Sequence, residues 1–196
     1  IPRDDPDVRM GWLIIIGTLP IVLAGFFLQE YIRDAFRSLW IVAIVLIVFG
    51  LILGVADWLG KRTRELTDLT YPHGILYGLG QMLALVPGVS RSGATTTVGL
   101  ALGYTRPAAA RYAFLLAIPA VVGAGVYKLK DVPGGDNPYG WGPTIAATAV
   151  AFVVGYAVIA WLLRYISTHD FRPFVLYRIA LAAVLYVLLV TEVLVP

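Results

Sequence analysis

Residues 85–97 read Leu-Val-Pro-Gly-Val-Ser-Arg-Ser-Gly-Ala-Thr-Thr-Thr, and they interrupt an otherwise apolar region that extends over 74–103. No other feature limits the fold of this chain so strongly. The apolar runs on either side, 74–86 and 94–103, are each too short to cross a hydrocarbon core about 30 Å thick. The stretch 85–97 carries a proline, two glycines, five hydroxyl side chains and one arginine. Pro87 lacks a backbone donor and restricts the residue before it, so the first short helix is expected to end there. Gly88 permits the turn, and Ser90 or Ser92 is placed to cap a second helix. The expectation is a re-entrant pair of half-length helices over 74–103. A single kinked span is the competing reading, and Pro87-Gly88 and Arg91 at its middle argue against it. Irregular backbone at membrane depth must be buried in protein or line a wet cavity.

That geometry predicts an anion site. With Ser90 or Ser92 as cap, the amides of Gly93, Ala94 and Thr95 are expected to be free at a helix N-terminus, where phosphate commonly binds. Arg91 adds a planar fork that matches phosphate oxygens. A charge at mid-bilayer costs roughly 2.5–3.5 kcal/mol on insertion scales, which marks Arg91 as functional. Its structural alternative is an arginine tied to helix-end carbonyls. Ser90, Ser92 and Thr95 are expected as phosphate donors, against the alternative of capping and back-bonding to carbonyls. Ser90 is also a candidate nucleophile, although no base accompanies it. No Asp or Glu lies between Asp68 and Asp131, and the motif contains no histidine. It therefore offers no metal ligand set of the usual oxygen type.

The rest of the chain agrees with a membrane setting. It is 59% hydrophobic and 14% charged, against about 25% charged for a soluble domain. Cysteine is absent, which excludes a disulfide framework and thiolate chemistry. The net charge of +3 is small, and no nucleic-acid partner is expected. No cleavable signal peptide is read at the start, where the residues are polar and acidic. Spans are expected at 12–28, 39–55, 108–127, 144–163 and 174–194, with Pro20 and Pro119 inside two of them. Loops are expected at 1–9, 29–38, 57–70, 128–143 and 164–173. The fold class is an all-α integral membrane protein with about five transmembrane helices and one re-entrant pair, forming a single membrane domain over 1–196. Gly50/Gly54, Gly74/Gly78 and Gly99/Gly103 give faces for close helix contact. Trp12, Trp40, Trp58 and Trp141 read as interface anchors. His73 and His169 read as interface or surface residues, and Arg178 as a snorkelling residue near a span end.

A re-entrant pair puts Arg3, Arg9, Lys61, Arg62, Arg64, Arg106, Arg111, Arg164 and Arg172 on one side. Arg33, Arg37, Lys128 and Lys130 fall on the other. The first side is then cytoplasmic by the positive-inside rule, with the C-terminus outside.

The stretch from Leu85 to Thr95 resembles the proline-glycine-x-serine-arginine-serine-glycine-alanine-threonine signature of bacterial undecaprenyl-diphosphate phosphatases, the bacitracin-resistance type. Gly80-Gln81, Phe114-Leu115-Leu116-Ala117-Ile118-Pro119 and Tyr177-Arg178 match further family positions. The family also carries a glutamate-rich first motif followed by a serine-serine-threonine-glycine-histidine stretch, and nothing in this chain matches either. The resemblance implies a fold of inverted repeats in the bacterial inner membrane. It implies hydrolysis of undecaprenyl diphosphate to undecaprenyl phosphate and inorganic phosphate, which recycles the carrier lipid for cell-wall synthesis and bears on bacitracin resistance. It implies Arg91 and Ser90 as catalytic residues, with Gly88, Ser90, Arg91, Ser92, Gly93 and Thr95 binding substrate. A divalent cation, Mg or Ca, is implied, held by glutamates of the first motif rather than by this chain, so 1–196 alone is expected to be inactive. The expected partners are the polyprenyl diphosphate lipid and the bilayer, with a homodimer left open. The alternative function is a polyprenyl-phosphate transporter or flippase, since broken helices meeting at mid-membrane are a transporter design. A histidine-nucleophile lipid phosphatase is rejected, because its serine-arginine motif requires histidine where this chain has Thr97.

Overall fold

The computed structural model describes residues 5–36, 38–129 and 140–194. Among them the chain forms seven α-helices: α1 (Pro6–Ala35), α2 (Leu39–Leu59), α3 (Tyr71–Met82), α4 (Arg91–Ala101), α5 (Arg106–Lys128), α6 (Trp141–Ile166) and α7 (Arg172–Val190). Five of these, α1, α2, α5, α6 and α7, are long and apolar enough to cross a membrane. The chain is an all-α, multi-pass membrane protein.

Local chemistry sets the helix starts. Asp5, Ser38, Thr70, Ser90 and Thr105 cap α1 to α5 with side-chain oxygens. Prolines stand in the first turns of α1, α3, α5 and α7, where a missing N–H costs nothing. Several expected boundaries are corrected. Pro6–Arg9 and 29–35 belong to α1 rather than to loops, while Pro20 lies inside the helix as expected. Asp57 lies inside α2 rather than in the following loop. The last helix ends at Val190 rather than 194. Arg3, Arg37, Lys130, Asp131 and most of the 128–143 loop lie outside the described residues.

One end of the bundle gathers most of the polar contacts. The Asp57 carboxylate accepts from Arg106 Nε at 2.6 Å and Nη2 at 3.0 Å, and from the Phe171 amide at 3.1 Å. One buried carboxylate thus ties together the end of α2, the start of α5 and the α6–α7 turn. The Gly103 carbonyl accepts from the amides of Thr63 and Arg64, and the Thr105 amide donates to the Arg64 carbonyl. Arg9 of α1 donates to the Leu69 carbonyl. The start of α3 and the end of α4 therefore return to the same end, and α3 and α4 form a hairpin. Their 12 and 11 residues make rods of about 18 and 16 Å at 1.5 Å per residue, roughly half a bilayer core.

The small-residue faces bring these helices close. A Cβ at Gly78 would fall 2.3 Å from the Gly17 carbonyl of α1, and one at Gly99 would fall 2.0 Å from the Tyr77 hydroxyl. Gly50 and Gly54 of α2 receive Arg178 and Val175 of α7. The core is built on Tyr77, Tyr104, Tyr112, Leu100 and Leu116. Tyr77 and Tyr112 meet edge-on at 4.7 Å, and the Tyr112 hydroxyl donates to the Leu13 carbonyl at 2.8 Å. This core holds α3 and α4 against α1 and α5, and so fixes where the hairpin tip sits.

Candidate functional site at the hairpin tip

The tip is residues 83–91. A short 3-10 turn at Leu83–Leu85 ends the first helix ahead of Pro87, so Pro87 begins the turn rather than closing the helix. Gly88 takes φ +93°, a region that favours glycine. A Cβ there would lie 2.9 Å from the Val42 carbonyl of α2. Ser90 is the N-cap of α4, its Oγ accepting from the Gly93 amide at 3.2 Å and lying 3.4 Å from Ser92 Oγ.

This cap corrects the predicted anion site. The Gly93 amide is taken by Ser90 Oγ, and the Ala94 amide donates to the Ser90 carbonyl at 2.8 Å. The open donors of the first turn are those of Arg91 and Ser92. Thr95 does not present its hydroxyl to a ligand. It is fully buried and donates back to the Arg91 carbonyl at 2.8 Å, with a longer contact to the Ser92 carbonyl.

The remaining polar groups divide between two sides of the tip. Arg91 is half-buried and lines a groove of about 790 Å³ with Pro87, Ile21, Val22 and Val121. Its guanidinium makes no hydrogen bond or ion pair among the described residues. The tie to helix-end carbonyls, weighed against function for Arg91, belongs to another arginine. Arg178 is 9% exposed and donates from Nη2 to the Gly88 carbonyl at 2.8 Å and from Nε to the Leu46 carbonyl at 3.3 Å. It does not snorkel. Ser90, Ser92, Gly93, Thr96 and Arg178 line a separate cavity of about 270 Å³. Sequence reasoning missed this role, and its available signal was the Gly50/Gly54 face of α2, which admits the side chain.

The histidines stay away from the tip. His73 Nδ1 lies 2.7 Å from the Tyr104 hydroxyl at the outer ends of the hairpin. Burial, and then the neighbouring Arg64, hold its pKa below the ordinary value. His169 is exposed and stacks on Tyr165 at 4.3 Å. Among the described residues no three His, Asp or Glu side chains come together as a metal site. The tip offers an arginine, hydroxyls and carbonyls, and these residues do not fit a divalent cation.

Comparison with known proteins places this site in context. A family model described as "Bacitracin resistance protein BacA" matches residues 2–184. An undecaprenyl-diphosphatase of Nocardioides sp. is 61% identical over 191 residues, covering 97% of this chain and 70% of that protein. The Micrococcus luteus undecaprenyl-diphosphatase is 61% identical over 192 residues, covering 96% and 69%. The undecaprenyl-diphosphatase of Clavibacter michiganensis subsp. michiganensis is 60% identical over 191 residues, covering 97% and 70%.

Proposed function

The chain belongs to the bacitracin resistance protein family, and from that premise we propose that it works as an undecaprenyl-diphosphate phosphatase of the bacterial inner membrane. The reaction removes the terminal phosphate of undecaprenyl diphosphate, leaving undecaprenyl phosphate for cell-wall synthesis. The observation that carries this reading within the molecule is Arg91. It is a half-buried cation without a hydrogen-bond or ion-pair partner among the described residues, at the tip of a hairpin whose outer ends lie together. Such a cation wants an anion, and a lipid whose diphosphate reaches membrane depth supplies one. The hairpin enters the membrane and returns in this reading, with the Lys61–Arg64 loop on the cytoplasmic side.

In this reading Arg91 clamps the phosphoryl oxygens and stabilises the charge that develops in the transition state. The backbone amides of Arg91 and Ser92 and the hydroxyls of Ser90 and Ser92 orient phosphate, and Gly88 and Gly93 keep the backbone close enough to do so. Ser90 is held as the cap of α4 with no base beside it among the described residues, so its part is donation and positioning. The divalent cation, Mg or Ca, is assigned to ligands outside this chain. A homodimer stays an open part of the reading, and nucleic acid has no part in it.

Lipid transport is the competing role for a broken-helix site. Purified protein carrying this chain together with the region upstream of it in the relatives should release inorganic phosphate from undecaprenyl diphosphate in detergent, where no second leaflet exists. Movement of intact diphosphate lipid across vesicles, without phosphate release in either setting, would establish the transporter instead.

A further inference from the structure

The loop after α2 carries Lys61, Arg62 and Arg64, and it passes the place where α2 and α4 both end. A helix C-terminus is the negative end of its dipole, and cations there ordinarily serve the last carbonyls. Arg62 does so for α2, its Nη2 donating to the Asp57 carbonyl at 2.6 Å. Arg64 does so for α4, its Nη1 donating to the Leu102 carbonyl at 2.7 Å. Lys61 does not. It is exposed and makes no hydrogen bond or ion pair among the described residues. Its Cβ lies 3.8 Å from the position a Cβ on Gly103 would occupy, which places it between the two helix ends.

From Lys61 a groove of about 810 Å³ runs between α2 and α4. Its walls include Leu51, Val55 and Leu59 of α2 and Ala101 of α4. The three α2 residues stand four apart, so they share one helix face. They cover about 12 Å of helix at 1.5 Å per residue, most of one leaflet's half of a core about 30 Å thick. The floor is closed, since a Cβ on Gly60 would fall 2.9 Å from the Leu100 carbonyl. Thr97 lies at the deep end and turns its hydroxyl back to the Gly93 carbonyl at 2.7 Å. Below the mouth the groove is therefore apolar in what it offers. Among the described residues the charged side chains that line it are both cations, Lys61 and Arg64. The acidic residues of the same loop are engaged elsewhere, Glu65 with Thr105 Oγ1 at 3.4 Å and Asp68 with the Glu65 amide at 2.8 Å. Trp58 is 75% exposed and marks the interface level beside the mouth.

We propose that this groove seats an anionic phospholipid, with an acyl chain along α2 and the phosphodiester against Lys61. Charge complementarity selects the occupant. An apolar slot with a cationic mouth at interface depth suits a lipid rather than a soluble anion, and basic pockets between spanning helices hold anionic head groups. A phosphodiester carries one negative charge, which matches the one cation that the helix ends leave uncommitted. The site is separate from the hairpin tip, where Arg91 and Arg178 line other cavities. The amides of Thr63 and Arg64 bond the Gly103 carbonyl, so a lipid seated against this loop braces the outer ends of the hairpin.

The test titrates the full-length protein, in a neutral detergent, with phosphatidylglycerol or with phosphatidylcholine of the same acyl chains. Bound lipid is counted by native mass spectrometry, and the thermal midpoint is recorded alongside. Phosphatidylglycerol is expected to fill a saturable site at least tenfold more tightly than phosphatidylcholine, and to raise the midpoint as it does so. Lys61→Gln should weaken that binding at least fivefold, and Lys61→Glu should bring it down to the phosphatidylcholine level. Lys61 is exposed and unbonded among the described residues, so both variants should fold. Ala101→Phe fills the groove without altering charge and should also abolish the preference. Arg111→Gln removes an exposed cation outside the groove and should leave binding at the parent value. Equal affinity for the two lipids overturns the proposal, as does parent-like affinity in Lys61→Glu and Ala101→Phe. A loss in Arg111→Gln as large as that in Lys61→Gln would reduce the effect to general surface charge and overturn it too. Displacement of phosphatidylglycerol by equimolar undecaprenyl phosphate would give the groove to the polyprenyl lipid instead.

Discussion

Arg91→Ala in the full-length protein is expected to reduce diphosphate hydrolysis by on the order of 10³-fold or more, the scale seen when an arginine that stabilises a transferring phosphoryl group is removed. The protein should fold as before. The Arg91 guanidinium makes no hydrogen bond or ion pair among the described residues, so truncation breaks no contact and removes a charge that is costly to bury. Loss of activity with an unchanged thermal midpoint separates a functional arginine from a structural one. Arg91→Lys should recover little, because a point charge does not reproduce the planar two-point contact of a guanidinium. Activity within a few-fold of the parent in Arg91→Ala would remove Arg91 from the site.

Gly88→Ala is expected to damage both stability and activity. The residue sits at φ +93°, and a side chain in left-handed backbone costs about 1–2 kcal/mol. The added Cβ would also lie 2.9 Å from the Val42 carbonyl and 3.2 Å from Val45. Neither the α2 backbone nor a branched side chain packed inside a bundle yields easily. The turn must move outward, and with it go the carbonyl that Arg178 holds and the cap on α4. A displacement on the order of 1 Å at a reacting centre can cost about 10²-fold in rate. The expected result is a fall of about 2 kcal/mol in stability, with turnover down by about 10²-fold. The checks are thermal denaturation in detergent and phosphate release. Parent-like turnover in Gly88→Ala would show that the turn geometry is irrelevant to the chemistry.

The hairpin was legible in the sequence because length is a hard constraint. Two apolar runs of half-bilayer size, separated by Pro87-Gly88 and a cation, leave few arrangements. The spans were legible for the same reason. Their ends were not, because a helix stops where its backbone finds a cap. The stretch from Gln29 to Ala35 mixes four polar or charged residues with Tyr31, Ile32 and Ala35, and it forms helix well enough to prolong α1 to a stop at Phe36. From the sequence Asp57 reads as a loop residue, because its partners, Arg106 and Phe171, are 49 and 114 positions away, and only the fold brings them together. Counting hydroxyls could not show which of them turn back on the helix. Thr95 has the Arg91 carbonyl one turn behind it and bonds there, as buried helical threonines often do. Arg178 lies near the start of its helix, where a long cationic side chain usually reaches for the interface. Its inward course depends on Gly50 of the neighbouring helix and on an accepting carbonyl at the tip of another.

The central claim is that phosphate of a lipid diphosphate sits against the first turn of α4. Residues 1–196 contain no cysteine, so Ser92→Cys places the sole thiol of this stretch at that turn, in a full-length protein freed of any other cysteine. The rate at which a small water-soluble thiol reagent modifies it can be followed with and without saturating undecaprenyl diphosphate. The account predicts that the lipid diphosphate slows modification at least tenfold, that undecaprenol does not, and that a cysteine at exposed Thr63 is unprotected by either. Modification of Ser92→Cys at the same rate with and without the diphosphate lipid would contradict it.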